Sequence, residues 1–438
     1  MEQINLNETS TMAMTDMNFD CLERCLQHLN IEERLNVADC NKQLRGIVRY
    51  IIAREFPGNL WISAVPVGSY ESRIISWSEN EEWLHITGLK FGLKFLRCCG
   101  DLVSTIAVSS KDVTNYSKNY HANFLIIGYI NEYCSEFLTE QIFRSCSEDC
   151  LKGLTKPFKK VETLEMSTSF INDTRLSKLF PNLRNLELSS CGSSVVNLGY
   201  PKEFFANCFP SLEHLSLEAR YWKTDYENVA DILRSHPQLK SLKGNIWLDV
   251  IFGTKYLSHG SDHLQNLEKL HLTEIIFEKS VNERIHLKNL KALVLDIEHA
   301  HYNRPWTIPF KCDNLESLEI EFLEIGFENE LIELIASYSS VKKFKLSSRS
   351  SLEHVKISKA LPLLEEIDFS HYSPGFTIDE VVRFVGELGS LKLFEFLSPF
   401  ATNIEELMER LESGWLVLYG PCGCRFSNRV AFSIKLER

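Results

Sequence analysis

A short pattern of apolar and polar positions recurs along most of the second half of the chain. Ten hexamers carry an apolar residue at the first and fourth positions, and nine of them also at the sixth, where Gly244 breaks the pattern. Alternation of apolar and polar residues predicts a short, half-buried strand in each hexamer, with its fourth and sixth residues in the core. The hexamers follow each other at steps of 22 to 29 residues and begin at Val161, Leu183, Leu212, Leu239, Leu267, Leu290, Leu315, Val341, Leu364 and Leu391.

The segments between the hexamers indicate helices. Apolar residues recur at helical spacing in residues 225–234 and 377–385. A proline shortly before a hexamer ends the helix ahead of it, and four hexamers have one: Pro181, Pro210, Pro237 and Pro362. One strand and one helical segment at this period are typical of leucine-rich repeats. We therefore expect an α/β fold, a leucine-rich repeat solenoid over residues 101–400 with a parallel sheet on its concave face and helices on its convex face.

Two weaker hexamers extend the array toward the N-terminus. Residues 103–108 fit the pattern, and residues 138–143 fit it with Gln141 at a core position. The 35-residue step between them requires an insertion. Residues 61–100 are expected to be a linker and an N-terminal cap. Residues 401–438, with one helical and two strand-like runs, are expected to be a C-terminal cap that covers the last repeat.

The N-terminal residues differ from the array. Residues 1–16 are polar and are expected to be disordered. In residues 17–60 we predict two short helices, the second beginning near Ile31, whose apolar residues recur at helical spacing. One interpretation is a helical cap on the solenoid. The apolar residues of the two helices are Leu22, Leu26, Leu29, Leu35, Val37 and Leu44.

The segment 17–60 also resembles an F-box, a helical motif. Met17-Asn18 stands where the family has Leu-Pro, and Cys40-Asn41-Lys42-Gln43-Leu44 stands where it ends in Val-Cys-Lys-x-Trp. The proline is missing and Leu44 replaces the tryptophan. An F-box followed by irregular leucine-rich repeats is similar to the F-box/leucine-rich-repeat family of ubiquitin-ligase substrate receptors.

This resemblance implies a function without catalysis. A receptor of this family is a subunit of an SCF-type E3 ubiquitin ligase; it binds a Skp-type adaptor and, through it, a cullin–RING ligase, while its repeats hold a target protein. The resemblance implies adaptor binding through Leu22, Leu26, Leu29, Leu35, Val37 and Leu44. The alternative is a leucine-rich-repeat scaffold or adaptor that is not linked to ubiquitination.

The outward side chains of the predicted strands offer a target-binding face. Positions three, five and seven alternate with the core positions, and their charges form bands along the array. These side chains are either ordinary solvated residues or, in the middle repeats, a cationic centre for an acidic or phosphorylated segment. That centre consists of His214, Lys243, Lys269 and His271.

Composition excludes several classes of function. The formal net charge of −12 and the pI of about 5.6 do not favour nucleic-acid binding, which needs a basic stripe. No apolar run reaches membrane-spanning length, and no secretory signal is visible, so we expect an intracellular protein, cytoplasmic or nuclear. The thirteen cysteines follow no disulfide spacing and fit a reducing compartment.

Motifs for chemistry were sought and not found. The sequence holds no glycine-rich phosphate loop, no nucleophile elbow and no His-Glu-x-x-His motif. The cysteines in 146–150 and 422–424 lack the paired spacing of a zinc site. We therefore expect no cofactor, no metal and no catalytic residue.

Overall fold

A computed structural model describes most of the chain. The described residues are 17–55, 60–67, 71–77, 83–87, 89–109, 116–144, 148–167, 175–189, 209–218, 235–244, 265–273, 285–297, 310–322, 328–348, 354–369, 376–398, 404–411, 414–426 and 429–438. They fall into two compact units, Met1–Val195 with Ala206–Leu212, and Val196–Phe205 with Glu213–Arg438. We call these the N-terminal and the C-terminal unit. The predicted disorder in 1–16 and the predicted helix at 225–234 lie outside the described residues.

Three helices open the N-terminal unit, one more than predicted. They are α1 (Phe19–Gln27), α2 (Ile31–Cys40) and α3 (Lys42–Glu55). Asn30 and Glu33 form a capping box that starts α2. Asn41 is extended, and its side chain accepts a hydrogen bond from the Leu44 backbone N–H at 2.8 Å. Asn41 therefore ends α2 and starts a new helix, so Leu44 belongs to α3 and not to the second helix as predicted.

The segment expected to be a linker and cap is built from regular elements. It contains β1 (Leu60–Val67), β2 (Glu71–Trp77), β3 (Trp83–Thr87) and α4 (Leu89–Cys99). Strand β2 pairs antiparallel with both β1 and β3. The expectation of a linker was wrong, because main-chain pairing with β2 and with the first repeat strand fixes β1 in the sheet.

Polar contacts join α4 and the turn after it to the first three helices. Lys94 Nζ lies 2.8 Å from the carboxylate of Asp39 and 2.7 Å from the side-chain oxygen of Asn36. Arg49 Nε donates to both carboxylate oxygens of Asp101, at 2.8 and 2.9 Å. The helical segment is thus part of one compact unit with the strands that follow it.

Four parallel strands complete the N-terminal unit and confirm the two weaker hexamers. They pair in chain order, and β1 pairs parallel with the first of them. Helix α5 (Tyr116–Tyr133) fills the long step between the first two, which confirms the predicted insertion. A short α6 (Leu176–Leu179) precedes the fourth. The strands are β4 (Val103–Ser109), β5 (Glu140–Arg144), β6 (Thr163–Ser167) and β7 (Asn185–Ser189).

The C-terminal unit continues with one parallel strand for each hexamer. In order of pairing these are β8 (His214–Glu218), β9 (Ser241–Gly244), β10 (Lys269–Leu272), β12 (Ala292–Ile297), β14 (Ser317–Phe322), β15 (Lys343–Ser348), β16 (Glu366–Phe369) and β17 (Leu393–Ser398). Between them, β11 (Ile285–His286) and β13 (Phe310–Lys311) form a separate two-stranded parallel sheet. The connecting helices are α7 (Glu328–Ala336), α8 (His354–Ala360), α9 (Ile378–Glu387) and α10 (Ile404–Arg410).

An antiparallel hairpin ends the C-terminal unit, in the region predicted to be a cap. It consists of β18 (Leu416–Phe426) and β19 (Arg429–Glu437). Strand β19 pairs antiparallel with β17, the last repeat strand, and thereby covers the open side of its main chain. The predicted helix at 377–385 corresponds to α9, and the helical run of the predicted cap, residues 403–412, corresponds to α10.

The hydrophobic core follows the sequence pattern. The first, fourth and sixth residues of the hexamers are buried. In the last repeats phenylalanines replace leucines, and the rings of Phe394 and Phe396 lie 4.8 Å apart, with Phe376 in contact with both. One parallel strand in each repeat at these steps fits a leucine-rich-repeat-like fold, a mixed α/β structure with a mostly parallel sheet.

The second position of the hexamers carries charges that alternate in sign. The ten residues are Glu162, Arg184, Glu213, Lys240, Glu268, Lys291, Glu316, Lys342, Glu365 and Lys392. We call this row the charge ladder. In the C-terminal unit each of its backbone N–H groups from Lys240 onward donates to the carbonyl of the previous member, at 2.7–2.9 Å. Side chains also pair, with N···O distances of 3.1 Å for Lys240–Glu213 and 2.8 Å for Lys291–Glu268.

Candidate functional site

The outward face of the parallel strands is the first candidate surface. In the C-terminal unit the third and fifth residues of the hexamers alternate with the buried fourth and sixth residues, as predicted, except that Val294 at a fifth position is also buried. The strand register places the third residues in one row and the fifth residues in a parallel row. Two rows of side chains therefore run across this face.

The register brings the four residues of the predicted cationic centre onto three neighbouring strands. His214 and Lys269 lie in the third-position row with Ser241 between them. Lys243 and His271 are direct neighbours in the fifth-position row. His214 and Lys269 are exposed, while Lys243 and His271 are partly buried. The four side chains thus share one face.

Carboxylates lie beside this centre. The sequence interpretation of the centre did not include them. His271 Nε2 lies 2.9 Å from Asp296 Oδ2, and both side chains are largely screened from solvent. His214 Nε2 lies 4.0 Å from the carboxylate of Glu213. His271 therefore brings the carboxylate of Asp296 on β12 into the centre. Lys243 and Lys269 lie on the neighbouring strands β9 and β10 beside this pair.

Farther along the rows, charges pair across neighbouring strands. Lys343 Nζ lies 2.8 Å from Glu366, and Lys345 Nζ lies 2.6 Å from Glu319. The hydrogen bond to Glu319 raises the pKa of Lys345, and the nearby Asp368 and Glu321 charges raise it further. The predicted charge bands are therefore internally compensated in these repeats.

The six predicted adaptor-binding residues do not share one environment. Leu22, Leu26, Leu35 and Leu44 are buried and form part of the core of the helical segment. Leu29 and Val37 are partly exposed. The four buried leucines cannot contact a partner directly unless the helices open, so their assignment to an adaptor surface is corrected to packing of the segment itself.

An exposed aromatic pair lies on the same helices. Phe19 opens α1 and Tyr50 lies on α3, with 45% and 47% of their surfaces exposed. Their rings meet edge to face with centroids 5.5 Å apart, and the Arg54 guanidinium lies over the Tyr50 ring. Arg54 also pairs with Glu23 of α1. We call Phe19 and Tyr50 the aromatic patch; sequence reasoning missed it because neither residue belongs to an apolar stripe.

Arg34 holds the three helices in place. It is buried, and its guanidinium donates to the backbone oxygens of Leu26 and Gln27 at the end of α1, at 2.9 and 2.8 Å. Its third bond, of 2.5 Å, goes to the carboxylate of Glu55 at the end of α3. These bonds satisfy carbonyls at the end of α1 and join that end to α2 and to the end of α3.

Neither a metal-binding cluster nor a membrane-spanning helix occurs among the described residues. Across the described ranges, no three histidine, cysteine or acidic side chains come together in a way that could hold a metal ion. Within the same ranges, no helix combines the length and the apolar character needed to cross a membrane. The cysteines in that part of the chain are free thiols, of which Cys21, Cys25 and Cys40 are exposed.

Comparisons with known proteins show no family and give a distant structural likeness. No family model matches the chain. No curated protein sequence matches it either. Among solved structures, the crystal structure of a TLR13–ssRNA13 complex is similar with a TM-score of 0.37 and 15% sequence identity, over 71% of this chain and 52% of that chain. The chain thus spans about half the length of that protein, and a likeness of this size says nothing about what this chain binds.

Proposed function

We propose that this protein is the substrate-recognition subunit of an SCF-type E3 ubiquitin ligase. The helical segment would bind a Skp-type adaptor and, through it, a cullin–RING ligase, while the outward strand face would hold a target protein. The protein would perform no chemistry itself. It would raise the effective concentration of target lysines near the ubiquitin-transfer machinery.

The observation that carries the proposal is the aromatic patch on helices α1 and α3, which precede the repeat strands in the chain. Large exposed aromatic side chains are enriched at protein interfaces, where a few such residues supply most of the binding energy. Arg34 and the buried leucines hold together α1 and α3, the helices that carry Phe19 and Tyr50, so little ordering is needed on binding. Partly exposed Leu29 and Val37 add apolar surface to the same three helices.

Co-purification with a Skp-type adaptor tests the proposal. The native chain should retain the co-expressed adaptor, and the Phe19→Asp/Tyr50→Asp variant should lose it. Phe137→Asp is the matched control, because Phe137 is an exposed aromatic residue of the N-terminal unit outside these helices. Exposed positions are preferable to Leu26, whose charged variant would unfold the segment. Failure of the native chain to retain any adaptor would exclude the ligase function.

The alternative function is a leucine-rich-repeat scaffold whose helices only cap the array. The ion pair of Lys94 with Asp39 and the hydrogen bonds of Arg49 with Asp101 favour it, because they join the helical segment to the elements that follow. A scaffold would leave the adaptor unbound while both native chain and variants stay folded. The co-purification experiment therefore separates the two functions.

The target-binding part of the proposal centres on Lys243 and Lys269, with His214 and His271 beside them. Two ammonium groups on neighbouring strands suit an acidic or phosphorylated segment lying along the face. Binding to an array of phosphoserine peptides should disappear in Lys243→Ala/Lys269→Ala. Lys343→Ala is the control, because Lys343 lies in the same row as Lys269 but three strands farther along the array. Equal loss in both variants would refute a local centre.

A further inference from the structure

The last strand of the C-terminal unit lies at the edge of the sheet. Strand β18 pairs with β19 on one side, and none of the described strands lies on its other side. An edge strand presents unpaired backbone N–H and C=O groups, which native proteins protect with charges, prolines or bulges. Residues 415–424 contain no charged side chain. Pro421 and the irregular register between Pro421 and Arg425 protect the second part of β18, whereas the first part has no such protection.

The unprotected part also carries exposed leucines. Leu416 and Leu418 are 55% and 44% exposed. They lie opposite Glu437 and Lys435 of β19, which in turn lie opposite Leu393 and Glu395 of β17. Since residues directly opposite in a sheet share a face, the two leucines continue the outward rows of the array. The face therefore ends in an apolar patch beside a free strand edge.

The sequence of this edge, Leu416-Val417-Leu418, can pair antiparallel with the same segment of a second copy. In an antiparallel pair centred on Val417, Leu416 of one copy lies opposite Leu418 of the other, and Val417 lies opposite its own equivalent. Both exposed leucines of each copy then pack on the same face of the joined sheet, at the close distances of cross-strand pairs. A two-fold axis generates such a contact from one surface. On the neighbouring strand β19, Lys435 and Glu437 form an ion pair with an N···O distance of 2.5 Å, so their charges cancel beside the edge.

We propose that the first part of β18 is a homodimerisation edge, through which a second copy of this chain extends the sheet. The paired segment is short and should bury less than the ~1,200–2,000 Å² of a stable interface. The dimer should therefore be reversible and dissociate on dilution. Because each copy carries a net charge of −12, added salt should strengthen the association by screening repulsion. A dimer of this kind presents two outward faces on one sheet, so a target with two binding segments would bind more tightly than to one copy.

Sedimentation velocity over a range of protein concentrations tests the proposal. The mass of the full chain should rise from 50.5 kDa toward twice that value with concentration. Leu416→Lys/Leu418→Lys places four cations in the joined patch and should keep the protein monomeric. Leu363→Lys/Met408→Lys is the matched control, because Leu363 and Met408 are equally exposed but lie away from the edge. This control should dimerise like the native chain.

A second measurement does not depend on the folding of the charged variant. Val417→Cys should form a disulfide between two copies under mild oxidation with diamide, detected as a peptide cross-linked through residue 417. Leu363→Cys, a change at an exposed position away from the edge, should give no such cross-link. A native chain that stays at 50.5 kDa throughout, or a dimer that the charged edge variant leaves intact, would overturn the proposal.

Discussion

Gln141 is the least favourable residue in the core of the N-terminal unit. It occupies the fourth position of its hexamer, where the neighbouring strands carry Ile106 and Leu164. Its side chain is fully buried, and within the described residues neither its amide nitrogen nor its amide oxygen has a hydrogen-bond partner. Replacement by leucine restores the pattern of the array and removes both polar atoms.

The magnitude follows from the cost of burying an unpaired polar group. An unsatisfied buried donor or acceptor costs about 1–3 kcal/mol. Leucine fills nearly the same space as glutamine and adds apolar contacts, so Gln141→Leu should raise the free energy of unfolding by roughly 1–3 kcal/mol. For a unit of this size, 1 kcal/mol corresponds to about 3 °C in the unfolding midpoint, which gives roughly 3–9 °C.

Urea and thermal unfolding followed by circular dichroism measure the effect. The reciprocal variant Leu164→Gln is the control, because it places an unpaired amide at the equivalent position of the next strand and should lower the stability by at least as much. A Gln141→Leu protein that is no more stable than the native chain would refute the reasoning. It would mean that the amide has a partner, such as an ordered buried water.

Three further predictions concern other parts of the molecule. Arg34→Met should lower the free energy of unfolding by roughly 2–4 kcal/mol, because it removes the Arg34 donor from the Glu55 carboxylate and from the Gln27 and Leu26 carbonyls, of which Leu26 keeps the Leu29 N–H; urea unfolding measures it, and Arg24→Met, a change on the exposed side of α1, should be neutral. Burial raises the pKa of Cys134 and of Cys312 to about 12, so both thiols stay protonated when folded and ionise first when unfolded. The free energy of unfolding should therefore fall as the pH rises from about 9 toward 12, and it should fall less steeply in the Cys134→Ala/Cys312→Ala protein. Denaturant unfolding at a series of pH values measures it, and parallel curves of this free energy against pH for the two proteins would contradict the prediction. In the charge ladder, the exchange Glu268→Lys/Lys291→Glu restores the pair between the two positions but places each new charge next to a like charge, Lys240 or Glu316. The melting temperature at low salt should therefore fall. If each pair acted in isolation, the exchanged protein would melt at the temperature of the native chain.

The repeat strands were predictable because their signal is local. Alternation within six residues fixes which side chains face the core, and the hexamers at 103–108 and 138–143 formed strands in spite of Gln141. Strands β1 to β3 were missed because they precede the first hexamer and share no period with the array. The break between α2 and α3 was missed because a single hydrogen bond from the Leu44 backbone to Asn41 decides it.

The candidate surfaces were less predictable for a physical reason. Helical spacing of leucines marks the face that packs inward, so the pattern that identified Leu22 and Leu26 also predicts their burial. Exposed residues such as Phe19 and Tyr50 follow no period and come together only through the packing of α1 on α3. The partner of His271 was hidden for a similar reason, since Asp296 belongs to a different repeat.

The charge ladder, in contrast, can be found from the sequence once the hexamers are aligned by their second position. The strict alternation of its charges bears on which repeat strands pair as neighbours. The leucines at the first, fourth and sixth positions are alike from repeat to repeat. The core alone therefore does not distinguish the adjacent repeat strand from the strand two repeats away. Pairing of strands two repeats apart, with one repeat looped out, places charges of like sign side by side, as Lys240 against Lys291. Correct neighbours instead bring opposite charges together, as Lys240 with Glu213 and Lys291 with Glu268, so the ladder favours the native order at these junctions.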